Sequence, residues 1–241
     1  MTTADPACHC DVRPRLADIL GFVPEAVIFD MDGVLADTEP LNERATAAVL
    51  ARRGASLTEA EYRSLAGQSA ELTGAWLIER FRLTDTPAVL GQEYVRELLP
   101  RLAATVVPAP GVPELVDELQ ASGIRLALAS SSPRAIVDAV LQALGLTRAF
   151  AVIISGEEVA AGKPAPEIFR LAAARLRVEP SHCLVIEDSP PGLEAARRAG
   201  MRAVAVETPY LSGEVLIADL VVDSLERLLG SDPAGRASSA T

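Results

Sequence analysis

The chain has 241 residues, 49% of them apolar and 4% aromatic, and its 33 acidic against 22 basic side chains give a formal net charge of −11. That length suits one large domain, or a domain with an insertion, around a sizeable core. The charge argues against nucleic acid or an anionic membrane surface as partner, and no apolar run reaches the roughly 18 residues of a membrane span.

Residues 1–24 read as an N-terminal extension. Its Cys8-His9-Cys10 run resembles a metal tripod, but a closed zinc site takes four ligands, and the only other His and Cys are distant, at His182 and Cys183. Three cysteines make no disulfide framework and no charged-then-apolar leader opens the chain, so a reducing cytoplasm is the expected setting. Residues 26–30 (Ala-Val-Ile-Phe-Asp) form a short apolar run ending in an acid, as buried parallel strands do. Four helical segments follow at 41–53, 58–65, 70–81 and 87–105, with no strand among them. They read as a helical cap over residues 41–107, flanked by hinges at Glu39-Pro40 and Pro108-Ala109-Pro110-Gly111. Trp76 and Phe81, on one of these helices, are expected to be buried.

Strand-like runs then recur at 124–130, 151–154, 183–187, 202–206 and 218–222. His182 is expected to start one of these strands and Cys183 to pack in the core. Helical stretches separate them at 112–122, 134–144, 166–176 and 192–199, three of which stop at a glycine (Gly123, Gly145 and Gly200). The alternation predicts an α/β fold, a doubly wound parallel sheet of Rossmann type. Its core takes residues 25–40 and 108–229, the helical cap is inserted after the first strand, and residues 230–241 form a disordered tail without an apolar face.

In open parallel sheets ligands gather beyond the carboxyl ends of the strands. The residues that follow these strands are Asp30-Met31-Asp32-Gly33 with Asp37-Thr38, then Ser130-Ser131-Ser132, Gly162-Lys163-Pro164 and Glu187-Asp188-Ser189. Carboxylates gathered at one edge raise one another's pKa unless a cation neutralises them. Asp30 and Asp188 suit Mg²⁺, which takes one or two carboxylates and shares its other positions with water and a substrate phosphate. A carboxylate can attack phosphorus once the phosphoryl charge is cancelled, and Ser130 and Lys163 supply a hydroxyl and an ammonium for that. Pro133 fits the first position of a helix with Ser132 as its N-cap, an arrangement that leaves free amides for an anion. Lys163 is the only lysine in the chain. An Arg-rich composition could leave one lysine by accident, but a pocket built for a compact ammonium cannot accept a planar guanidinium.

Two other chemistries fail on spacing. Between Gly156 and Gly162-Lys163 stand five residues instead of the four of a Walker A loop, and Glu157-Glu158 would repel phosphate. Gly67-Gln68-Ser69-Ala70-Glu71 lacks the second glycine of a nucleophile elbow, and His9 and His182 offer no plausible base.

In order, Asp30-Met31-Asp32-Gly33-Val34-Leu35-Ala36-Asp37-Thr38, Ser130, Lys163-Pro164-Ala165-Pro166 and Glu187-Asp188-Ser189 resemble the four motifs of the haloacid dehalogenase superfamily. More narrowly, the chain resembles the beta-phosphoglucomutase-like phosphatase branch over about residues 25–229. The resemblance implies Asp30 as nucleophile and Asp32 as general acid, then base. It implies Ser130 and Ser131 with Lys163 as phosphate-binding residues, and Asp188, with Glu187 beside it, holding Mg²⁺ together with Asp30 and Asp32, the last through its backbone carbonyl. Asp32 speaks against a dehalogenase, and the absence of lysine between 41 and 107 against a Schiff-base phosphonatase. The mutase arginine and histidine fall at Ala70 and Asn42. The expected activity is therefore Mg²⁺-dependent hydrolysis of a small phosphate monoester, a sugar phosphate or similar metabolite. A phosphosugar mutase is the alternative, ahead of a non-enzymatic phospho-receiver-like module. Glu39, Asn42, Gln68 and Ser69 are candidates to face the leaving group, although solvated hinge residues explain them equally well.

Overall fold

A computed structural model describes residues 11–65, 68, 70–209 and 216–229 of the protein. Cys8, His9, Cys10, Gly67, Ser69 and the tail at 230–241 lie outside the described residues. Six strands, β1 (Ala26–Phe29), β2 (Arg125–Ala129), β3 (Val152–Ile154), β4 (Cys183–Glu187), β5 (Arg202–Val206) and β6 (Leu220–Val222), form one sheet in the order β3-β2-β1-β4-β5-β6. All five pairings are parallel. The ten helices among the described residues are α1 (Arg13–Leu20), α2 (Glu39–Ala51), α3 (Glu59–Leu65), α4 (Ala70–Phe81), α5 (Pro87–Thr105), α6 (Val112–Ala121), α7 (Arg134–Ala143), α8 (Glu167–Leu176), α9 (Pro190–Ala199) and α10 (Glu226–Leu229). None of the described helices is long and apolar enough to cross a membrane.

The strands are apolar on both sides, and their period of two sorts the side chains into two cores. Val27, Phe29, Leu126, Leu128, Leu184 and Ile186 point to one face, where α1, α6, α7 and α10 bring Leu16, Leu115, Ile136 and Leu228. Burying each such side chain contributes about 1.5–3 kcal/mol. Ala26, Ile28, Ala127, Ala129, Cys183 and Val185 point to the other, against Phe169 of α8 and Ala195 and Ala196 of α9. Alanines on both sides of this second layer leave room for the helices to approach closely. Glycine ends α9 as its sequence suggests: Gly200 takes the left-handed conformation and its N–H bonds the Ala196 carbonyl.

Helices α2 to α5 intervene between β1 and β2. Their own apolar cluster is Val49, Leu50, Leu65, Leu77 and Leu90, with Trp76 and Phe81 half-buried against it. At their inner ends α2 and α5 run onto the first sheet face through Leu41, Ala45, Leu98 and Leu102. The two flanking segments pair with each other, since Ala36 bridges Pro108 and the Ala109 N–H donates to the Leu35 carbonyl at 2.8 Å.

Helix α1 was not legible as an element in the extension. Val12, Leu16 and Leu20 stand four apart, form one buried stripe and join the first core, while the Val12 N–H donates to Ser122 Oγ at 3.1 Å. That i, i+4, i+8 spacing before Gly21 is the signal that would have found it. His182 does not start β4 but ends a short 3₁₀ turn before it, with Nδ1 2.9 Å from Glu25 Oε1.

Candidate active site

The register places the site. Ala26 pairs with Arg125 on one side and Cys183 on the other, so β1 ends one residue short of β2 and β4, and Asp30, Ser130 and Asp188 leave the sheet at the same edge. Beyond β1 the chain turns tightly, with the Gly33 N–H bonded to the Ala36 carbonyl at 2.9 Å. Gly33 has φ +78°, and a Cβ there would collide with the Asp188 carboxylate, so both the conformation and the close approach require glycine. Beyond β4, Ser189 caps α9: its Oγ accepts from the Gly192 N–H at 3.2 Å, and Pro190 takes the first helical position.

Lys163 is 5% exposed and Glu187 1%. The lysine ammonium donates to Asp30 Oδ1 and, at 2.6 Å, to Glu187 Oε1. The other Glu187 oxygen accepts from the Ser189 N–H at 2.6 Å and its hydroxyl at 2.9 Å. Burial alone would lower the lysine pKa, but Asp30 and Glu187 outweigh it and hold the group charged, above its ordinary range. Asp30 moves the other way. Burial pushes it up to about 7 against the pull of Lys163, with the charges of Glu187 and Asp32 adding to the rise.

Asp32 is half-buried two residues on and is held by hydroxyls: Thr38 Oγ1 donates to Oδ1, and Ser132 Oγ donates to Oδ2 at 2.9 Å. Desolvation raises its pKa while these two donors oppose the rise. Asp188 is raised well above the ordinary carboxylate value by burial and by the charges of Glu187, Asp30 and Glu39. No hydrogen bond reaches its carboxylate among the described residues. Glu39 accepts from the Tyr62 hydroxyl at 3.0 Å and is pushed up to about 7, mainly by burial and then by Asp32.

These groups line a cavity, partly open to solvent, that continues between α2, α4 and α5. The structure brings Asp30, Asp32, Lys163, Glu187 and Asp188 together there, as expected, along with Glu39 and Asn42. Ser131 and Ser132 line it as well, whereas Ser130 is fully buried beneath them, its Oγ accepting from the Ser132 N–H at 3.1 Å. Gln68 is exposed at the rim with its amide turned to the Ser64 carbonyl, 2.9 Å away.

One reading needs correction. Ser132 is not the N-cap of α7: Pro133 holds that position in extended conformation, and the Arg134 N–H is taken by Glu157 Oε2 at 3.1 Å. The Ser132 hydroxyl is drawn to Asp32 instead. Glu187, expected beside Asp188 at the metal, accepts hydrogen bonds from Lys163 at one oxygen and from Ser189 at the other. Among the described residues no group of three or more His, Cys, Asp and Glu side chains is arranged to hold a metal ion. Asp30, in contact with the Lys163 ammonium, and Asp188, with no hydrogen-bond donor from the described residues on its carboxylate, are two buried acids facing the same cavity. That donor set fits a hard cation that takes two carboxylates and fills its other positions with carbonyl and water oxygens.

Residues 24–200 match the family model described as haloacid dehalogenase-like hydrolase. The chain belongs to this family. Among its relatives, it is 37% identical over 180 residues to a phosphorylated carbohydrates phosphatase of Thermotoga maritima, covering 75% of this chain and 83% of the relative. The fold is similar to that of CbbY from Rhodobacter sphaeroides in complex with phosphate, with TM-score 0.79 and 32% identity over 86% of this chain and 96% of the other. It is also similar to beta-phosphoglucomutase from Clostridium difficile, with TM-score 0.75 and 28% identity over 86% and 93% of the two chains. The chain is therefore a hydrolase of the haloacid dehalogenase-like family with the parallel-sheet fold that its motifs imply. Sequence reasoning gave no role to Thr38 and missed the Ser132 contact with Asp32. It gave no sign of Tyr62 or of Tyr94, whose hydroxyl donates to Asn42 Oδ1 at 2.9 Å.

Proposed function

We propose that the protein is a Mg²⁺-dependent phosphatase that hydrolyses a small phosphate monoester of a sugar or similar metabolite through an aspartyl-phosphate at Asp30. The observation that carries this reading is the pair of acids two residues apart in unequal surroundings: Asp30 against an ammonium, Asp32 between two hydroxyls. The phosphatase name of the 37% identical relative supports it. Asp30, Asp188, with Glu187 beside it, and the backbone carbonyl of Asp32 would hold Mg²⁺, which would screen the phosphoryl oxygens from the carboxylates.

The ammonium of Lys163 favours the ionised form of Asp30 and offsets charge on the phosphoryl group, so the carboxylate oxygen can attack phosphorus. The alcohol leaves with the proton of Asp32, whose desolvated carboxyl holds a proton more readily than a free one. Asp32 then takes the proton of the water that hydrolyses the acyl-phosphate, with Thr38 and Ser132 fixing its two oxygens throughout. The Ser131 backbone and hydroxyl line the phosphate side. Glu187 orients Lys163.

Phosphate release with Mg²⁺ or with EDTA tests the assignment. Asp30→Asn is expected to abolish Mg²⁺-dependent release, and turnover at the wild-type rate would sink it. Asp32→Asn is expected to slow esters of poor leaving groups most, and equal losses across leaving groups would remove Asp32 from the acid role.

A further inference from the structure

The cavity does not end at the reacting carboxylates. It runs on into the inserted helices, where Val49, Leu65, Leu77 and Leu90 form its wall. Among the described lining residues Lys163 is the only cation, and its ammonium is already shared between Asp30 and Glu187. Residues 66–70 read Ala-Gly-Gln-Ser-Ala, so that stretch contributes no charged side chain. The polar groups on the leaving-group side are neutral or acidic: Glu39 with the Tyr62 hydroxyl on it, and the Asn42 amide beside both Glu39 and Asp32.

Building on the phosphatase reading, we propose that the site selects monoesters whose alcohol part is uncharged, with hydroxyls on one side and an apolar face on the other. Esters that carry a carboxylate or a second phosphate are turned away. Bringing a second anion into this wall would strip its water with no counter-ion to replace it, and would set it beside the acidic Glu39. An uncharged ring loses neither. Its hydroxyls meet the Glu39 carboxyl and the Asn42 amide, and its carbon face lies on the leucines.

The test compares matched esters on the wild-type protein with Mg²⁺ at neutral pH: glucose 6-phosphate with 6-phosphogluconate, and glycerol 3-phosphate with 3-phosphoglycerate. The anionic member of each pair is expected to show kcat/KM lower by about tenfold or more, the size of one like-charge contact at the edge of a protein cavity. Equal or higher kcat/KM for the anionic members overturns the inference. Hydrolysis of p-nitrophenyl phosphate in the same assay separates this outcome from failure of the phosphatase reading, which would show as no Mg²⁺-dependent release from any ester. Thr73→Lys places an ammonium on the wall and is expected to narrow the ratio within each pair. A folded Thr73→Lys with the wild-type ratio also overturns charge as the basis of selection.

Discussion

Replacing Lys163 by methionine keeps an unbranched stem over the Phe169 ring, whose centroid lies 5.0 Å from Nζ, and removes the charge. Asp30 and Glu187 are then left in a site where both are almost fully buried. Breaking a buried ion pair by removing one partner costs about 3–5 kcal/mol. For a chain of this size each kcal/mol corresponds to about 2–4 °C, so the melting temperature is expected to fall by about 6–20 °C in Mg²⁺-free buffer near pH 8. The loss has a pH signature. Burial pushes Asp30 up to about 7 even with the ammonium opposing it, so without the ammonium it holds a proton still more firmly. Near pH 5 the deficit is therefore expected to shrink to less than half. Thermal melts of wild type and Lys163→Met at the two pH values decide this. A mutant melting within about 2 °C of wild type near pH 8, or losing as much near pH 5, would refute the account of Lys163 as the counter-charge of this cluster. Lys163→Arg is expected to be severely impaired in phosphate release, because the wider, planar group cannot reproduce the two contacts.

Gly192→Ala would set a methyl inside the Glu187 carboxylate, so we expect a loss of about 1–3 kcal/mol in urea unfolding and weaker activity through the displaced Lys163 partner. Asp30 and Glu39 are each pushed to about 7 and Asp188 well upward, so the stability they contribute is full below the ordinary carboxylate range and is lost as pH rises through about 7. In scanning fluorimetry with EDTA the melting temperature should fall from about pH 5 to pH 8, and Mg²⁺ should raise it more at the higher pH. Equal stabilisation at both would remove charge relief as the reason for metal binding. Thr38→Val removes a donor that lowers the Asp32 pKa, so the limb of the pH–rate profile that Asp32 controls should move to higher pH, and an unmoved limb would separate Thr38 from proton transfer.

The parts of this molecule that were legible in its sequence are those encoded by neighbours in the chain. Ala26 to Phe29 is buried on both faces, so its apolar run is continuous and its end is marked by the first acid that must leave the core. Lys163 was legible because its chemistry differs from every other basic residue present. Contacts made by folding were not legible: Ser132 reaches Asp32 across 100 positions and Tyr94 reaches Asn42 across 52, and neither residue carries a local mark of its partner. Where local and tertiary demands competed, as at Ser132, the Asp32 carboxylate won over the helix end. Helix α1 was hidden for a different reason, since three apolar residues among arginines and aspartates only become a stripe once the helical period is imposed.

The central position of β1 also sets the order in which this protein can be completed during synthesis. Its first neighbour, β2, follows only after α2 to α6, and its second, β4, only when Cys183 has been made opposite Ala26. At a synthesis rate of about 5–20 residues per second, roughly 150 residues separate β1 from β4, so its four apolar side chains wait on the order of 10 s for the strand that covers their second edge. During that interval the apolar surface available to it is α1, already made, and then the helices that emerge after β1. Apolar side chains of α1, α2 and α5 that lie on the same face as Val27 and Phe29 in the finished fold are thus synthesised before the second neighbour of β1.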